Sequence, residues 1–173
     1  MSIAARIKKL AKGLSARKAA DAFVKAQEEG PASVSPSERD KAAEFEATVE
    51  AMFLMAAVDG DLGEQELAQL AASVDAFSEL EGRARVDAGP LLVKMNDLLA
   101  KDGWNKRLHA VAKNLQSGEA RAFAFRLAAG VAFVDDHVAH SEAAALEAMA
   151  SAFAIDADTS QEILYDVRET LFD

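Results

Sequence analysis

One stretch of this sequence occurs twice. Val58-Asp59-Gly60-Asp61-Leu62-Gly63-Glu64-Gln65-Glu66-Leu67 lies between two amphipathic helical patterns, and Val134-Asp135-Asp136-His137-Val138-Ala139-His140-Ser141-Glu142 follows 76 residues later. Residues 52–74 set against 128–150 without gaps share seven identities in 23 positions: Ala56/Ala132, Val58/Val134, Asp59/Asp135, Glu66/Glu142, Ala68/Ala144, Leu70/Leu146 and Ala72/Ala148. The alanine matches weigh little in a chain with 39 alanines. The aspartate and glutamate, seven residues apart in both copies, weigh more. The chain therefore reads as two related helix–acidic loop–helix hairpins.

The flanking patterns are helical throughout. Ser35-Pro36-Ser37-Glu38 combines an N-cap serine, a proline at the first helical position and a glutamate at the third, a strong start signal. Phe45, Val49, Met52, Phe53 and Ala56 follow at helical spacing, and this helix should stop near Asp59-Gly60. The next starts at about Glu64, with Leu62 and Leu67 placed to close a hydrophobic staple. Pro90 opens a helix ending at Asp102-Gly103, and Trp104 to Leu115 forms another. From a capping Ser117 a longer helix should run to Asp135, followed by one from His140 to Phe153. Thr159 and Glu162 are placed as a capping box for the last helix. No alternating strand pattern persists, so the expectation is an all-α fold of about seven to eight helices.

Composition narrows the setting. A chain of 173 residues can bury a sizeable core in one domain. It has no cysteine, which excludes disulfides and thiolate metal sites. No apolar run approaches the roughly 20 residues of a membrane span, and the first 20 residues lack the continuous apolar segment of a signal peptide. A cytoplasmic location is the expectation.

Charge divides the chain in two. Residues 1–20 hold Arg6, Lys8, Lys9, Lys12, Arg17 and Lys18 and no acidic group. Since the whole chain has 19 basic and 29 acidic residues, the remainder holds 13 against 29, a net charge of −16. A body that acidic repels nucleic-acid phosphates and attracts cations. Ile3, Ile7, Leu10 and Leu14 line one face of a basic helix, and Gly30–Pro36 reads as a linker. The sequence thus divides into a basic arm and linker, 1–36, and a helical domain, 37–173. Three readings stand for the arm: a helix on an anionic membrane surface, a helix packed on the acidic body, or a loosely ordered tail. The linker leads to the expectation that removing residues 1–30 leaves the body folded.

Clustered carboxylates are the donor set of a hard divalent cation such as Ca²⁺, Mg²⁺ or Mn²⁺. An EF-hand fails here: counted from Asp59, position 5 is Gly63, position 6 is Glu64 and position 12 is Leu70. Capping accounts for part of the pattern, because Glu66 and Glu142 fall at the third position of their helices. The reciprocal cap positions, however, hold Gly63 and Ala139, which have no capping side chain. Asp59 and Asp135 fall near helix C-termini, where the dipole disfavours a negative charge. The candidate metal ligands are Asp59, Asp61, Glu66, Asp135, Asp136 and Glu142. His137 and His140 replace Asp61 and Glu64 in the second copy, with no third nitrogen or sulfur ligand beside them. No Ser/His/Asp order and no phosphate-binding glycine loop accompanies the carboxylates.

Met55-Ala56-Ala57-Val58-Asp59-Gly60-Asp61-Leu62-Gly63-Glu64-Gln65-Glu66, echoed by Ala132-Phe133-Val134-Asp135-Asp136-His137-Val138-Ala139-His140-Ser141-Glu142, resembles the tellurite-resistance TerB family. The resemblance covers roughly 40–165. It implies an all-helical fold in which carboxylates of both loops gather at a cation site, with Asp59, Glu66, Asp135 and Glu142 as ligands. It also implies a role in bacterial stress response or tellurite resistance. Asp136 departs from the family pattern, which has glycine there. The function expected is a non-enzymatic, divalent-cation-binding module that acts through protein partners. The alternatives are a membrane-peripheral adaptor using residues 1–18 and, behind it, a carboxylate-dependent metal hydrolase.

Overall fold

The computed structural model describes residues 3–11, 23, 25, 30, 35–59, 62–79, 88–134 and 137–172. The fold is all-α. Among the described residues the helices are α1 (Ile3–Ala11), α2 (Pro36–Ala56), α3 (Glu64–Glu79), α4 (Ala88–Asp102), α5 (Trp104–Asn114), α6 (Gly118–Ala132), α7 (His140–Ala152) and α8 (Ala157–Phe172). A two-residue antiparallel ladder, β1 (Phe133–Val134) with β2 (His137–Val138), pairs Phe133 with Val138 and Val134 with His137. It is too small to alter the class.

The starts of the helices follow local chemistry. Ser35 Oγ accepts from the Glu38 amide at 3.1 Å and the Glu38 carboxylate accepts from the Ser35 amide at 3.1 Å, closing the expected capping box. Ser117 Oγ accepts from the Ala120 amide at 3.0 Å. The start of α8 differs from expectation. Its cap is Asp156, whose carboxylate accepts from the Thr159 amide at 2.7 Å and from the Thr159 hydroxyl at 3.0 Å. Thr159 is therefore the third residue of the helix and not its cap, because the better acceptor three residues upstream takes the exposed amide first.

Two helices form the centre. Every residue of α2 from Ala47 to Met55 is buried, as is every residue of α6 from Leu127 to Ala132. These two helices pack against each other, α5 covers α2, and α7 and α8 cover α6. A helix that is apolar all round is one sheathed on all sides, which explains why a one-faced pattern fades in these halves. The cost falls on Glu50, buried within α2. Arg107 of α5 meets its two oxygens at 2.7 and 2.9 Å and reaches Asp102 at 3.3 Å. The Glu50 carboxylate raises the Arg107 pKa above its ordinary value, chiefly through these hydrogen bonds. Removing one partner from so buried a pair costs about 3–5 kcal/mol.

The basic helix α1 packs on α3, α6 and α8. Ile7 and Leu10 belong to the same core as α2 and α6. Of the readings weighed for the arm, the structure has the packed helix for residues 3–11. Gly130 makes room for it: a Cβ there would lie 2.4 Å from Leu10 Cδ1 and 3.3 Å from Ile7 Cδ1. Further along the arm, Phe23 tilts against Phe45 with ring centroids 4.9 Å apart, and Lys25 pairs with Glu38 at 3.2 Å. No helix among the described residues is long and apolar enough to cross a membrane.

Candidate functional site

The duplication holds at the level of elements. Helices α2 and α6 end at the aligned pair Ala56 and Ala132, and α3 and α7 begin at the aligned pair Glu64 and His140. Seven residues therefore join the helices in each copy, 57–63 and 133–139. The two connections differ in how they leave the first helix. After α2 the chain turns through residues 57–59, with Ala57 as C-cap and Leu62 buried before α3. After α6 it turns at once into extended backbone, Phe133 having φ −69° and ψ 129°. The helix expected to reach Asp135 thus stops three residues earlier. Phe133 is buried against Phe172, ring centroids 5.9 Å apart, and its carbonyl is taken by Arg6.

Side chains from other elements hold both exits. Trp104 Nε1 donates to the Leu54 carbonyl at 2.8 Å, satisfying one of the carbonyls that the last turn of α2 leaves without an intrahelical partner. Arg6, itself buried, donates from Nη1 to the Phe133 carbonyl at the end of α6. A cation at a helix C-terminus also meets the dipole favourably. Trp104 and Arg6 are positioning residues that sequence reasoning missed. The one tryptophan of the chain was a usable signal; Arg6 had none, being one of six basic residues in a row of candidates.

The candidate ligands fall into two groups. Asp61, Asp135 and Asp136 lie outside the described residues. Asp59 is exposed at the end of the first turn, Glu66 is exposed on α3, and Glu142 is half-buried on α7. Glu66 and Glu142 both occupy the third position of their helices, behind Gly63 and Ala139, as expected. Their behaviour differs from that of Glu38, which holds the same position in α2 and bonds back to its cap. Among the described residues neither Glu66 nor Asp59 has a hydrogen-bond or ion-pair partner, and Glu142 accepts only a long bond, 3.5 Å, from Ser141 Oγ. The Glu66 carboxylate is turned back toward the connection, its Oε1 3.8 Å from where a Cβ on Gly63 would stand.

His109 and His140 are exposed. Among the described residues no group of three or more His, Asp or Glu side chains is gathered as a metal site. Compared with protein-family models, curated proteins and solved structures, this chain matches none.

Proposed function

We propose that the protein is a non-enzymatic, divalent-cation-binding helical module of the TerB type, acting through protein partners in a bacterial stress-response or tellurite-resistance system. The observation that carries this reading is the idle third-position glutamate. In both copies a carboxylate sits where a capping box would use it, the cap residue offers no side chain, and the carboxylate makes no bond back to the cap. Glu66 and the exposed Asp59 therefore keep their lone pairs for another partner, and Glu142 is engaged only by the long bond from Ser141. Carboxylate oxygens of this kind suit Ca²⁺, Mg²⁺ or Mn²⁺, so the residues fit such an ion. Asp61, Asp135 and Asp136 are the further candidate ligands by their place in the sequence. A bound ion would offset part of the negative charge that the two connections carry in sequence; no step of bond making or breaking is assigned to it.

Calorimetry tests the reading directly. Chelator-treated protein titrated with Ca²⁺, Mg²⁺, Mn²⁺ and Zn²⁺ should bind one of the first three, and Asp59→Ala should lose most of that binding. If the variant binds as wild type does, the site is misassigned. In cells, Asp59→Ala combined with Asp135→Ala should lower stress tolerance at unchanged protein abundance, and the captured partners should differ between metal-loaded and chelated protein. Unchanged tolerance together with an unchanged partner set would mean that the connections are only solvated turns.

A further inference from the structure

The basic helix α1 has the make-up of a helix that lies on a lipid surface, yet its apolar face is turned inward. Ile7 and Leu10 are buried in the body while Lys8 and Lys9 stay exposed. Basic side chains on one face with aliphatic ones on the other are what interfacial helices present to anionic bilayers. The surface that α1 occupies instead resembles such a bilayer in two respects. It is apolar at the bottom, with the notch at Gly130 under Leu10 and Ile7. Two of the helices that α1 packs on are also acidic in sequence: α3 holds Glu64, Glu66, Asp75 and Glu79 with no basic residue, and α8 holds Asp158, Glu162, Asp166 and Glu169 with only Arg168.

We propose that α1 is a sheathed membrane helix, held on the acidic body in solution and transferred, apolar face first, to an anionic bilayer. Among the described residues, the contacts that must be released include the buried Ile7 and Leu10 side chains and the Arg6 guanidinium on the Phe133 carbonyl. Lipid phosphates can take over the guanidinium, and the acyl boundary can take over Ile7 and Leu10. The docked form cannot offer Ile7 and Leu10 to lipid, so the fraction of undocked chains sets the apparent affinity. This inference does not depend on cation binding at the acidic connections.

The test uses the full chain and first changes the body alone, with the arm's own sequence intact. Gly130→Leu fills the notch and displaces α1. If docking withholds nine chains in ten or more, this variant should bind vesicles containing about a quarter phosphatidylglycerol in phosphatidylcholine at least about tenfold more tightly than wild type. Binding should weaken with added salt and be absent on pure phosphatidylcholine. Adding Leu10→Asp to Gly130→Leu should abolish the gain, because the inserted face is then charged. Gly130→Ala, one added methyl in the same notch, should give the same direction at smaller amplitude and serves if the leucine variant does not unfold cooperatively. Equal vesicle affinity for wild type and both Gly130 variants would overturn the proposal, as would undiminished binding by the Leu10→Asp combination. In either case α1 is simply a core helix.

Discussion

Ala154 is the one described non-glycine residue with positive φ, at 56°. It follows α7, where the Ile155 amide donates to the Ala150 carbonyl at 2.9 Å and the Ala154 amide to the Ser151 carbonyl at 3.1 Å. This is the left-handed exit that glycine ordinarily fills. The left-handed region costs an alanine about 1–2 kcal/mol, and glycine returns about 0.4–1 kcal/mol of that through a looser unfolded chain. Ala154→Gly should therefore stabilise the fold by about 0.5–1 kcal/mol, read as a higher denaturant midpoint at unchanged m-value. A lower midpoint would show that the strain is not borne at this residue. Two residues on, the Thr159 amide and hydroxyl hold the Asp156 carboxyl below its ordinary value of 3.8. A lowered native pKa gives stability that is complete above the unfolded value and lost as pH falls through the native one. Asp156→Asn keeps the cap geometry and removes the charge, so its melting temperature should fall less steeply than wild type below about pH 4. Parallel acid limbs for the two proteins would count against this. Glu38, lowered by the Ser35 amide and by Lys25, should contribute in the same direction.

At the scale of elements, packing overrides the apparent modularity of the arm. Gly30 has φ 88° and Ser35-Pro36 begins α2 afresh, which is why residues 1–30 look removable. The burial of Ile7, Leu10 and Phe23 in the common core weighs against that expectation. Burying an Ile or Leu side chain is worth about 1.5–3 kcal/mol. A chain lacking residues 1–30 should accordingly lose about 3–6 kcal/mol on the two aliphatic side chains of α1 alone, seen as an early denaturant midpoint or a non-cooperative transition. An unchanged midpoint would show that α1 contributes no net stability. The aligned ends of α2 and α6 and the aligned starts of α3 and α7 carry a second lesson. A repeat that shares only seven identities still keeps its element boundaries, while the backbone between them diverges into a turn in one copy and a ladder in the other.

Over the whole molecule, charge is the dominant unbalanced quantity. The formal net charge is −10, and −16 outside the first 20 residues. Self-repulsion of that size favours anything that brings positive charge to the body, whether α1 or a divalent cation. An ion that binds only the native state adds about 2.7 kcal/mol at 100 times its dissociation constant. The melting temperature should therefore rise with the preferred divalent ion beyond the rise in sodium chloride of equal ionic strength, and Asp59→Ala should erase the difference. A rise that sodium chloride reproduces in full would be general screening and would leave the connections without a specific site.

Local patterns in the sequence determined the helical class, most helix starts and the duplicated hairpin, because caps, proline positions and apolar spacing act within a few residues. Ser35 with Glu38, Ser117, and the third-position Glu66 and Glu142 all stand where that local chemistry puts them. Asp156 was equally local and was missed only because Thr159 also offers a capping oxygen. What the tertiary structure alone decided is each feature that depends on residues far apart in the chain. Arg6 to Phe133 spans 127 positions, Arg107 to Glu50 spans 57, and Trp104 to Leu54 spans 50. Gly130 reads as an ordinary helical glycine until Leu10 is seen against it. Helix α6 ends before Asp135 because Phe133 finds Phe172 and Arg6, neither of which is within reach of a local pattern. Close packing is a property of pairs of surfaces, and one sequence segment holds only one of them.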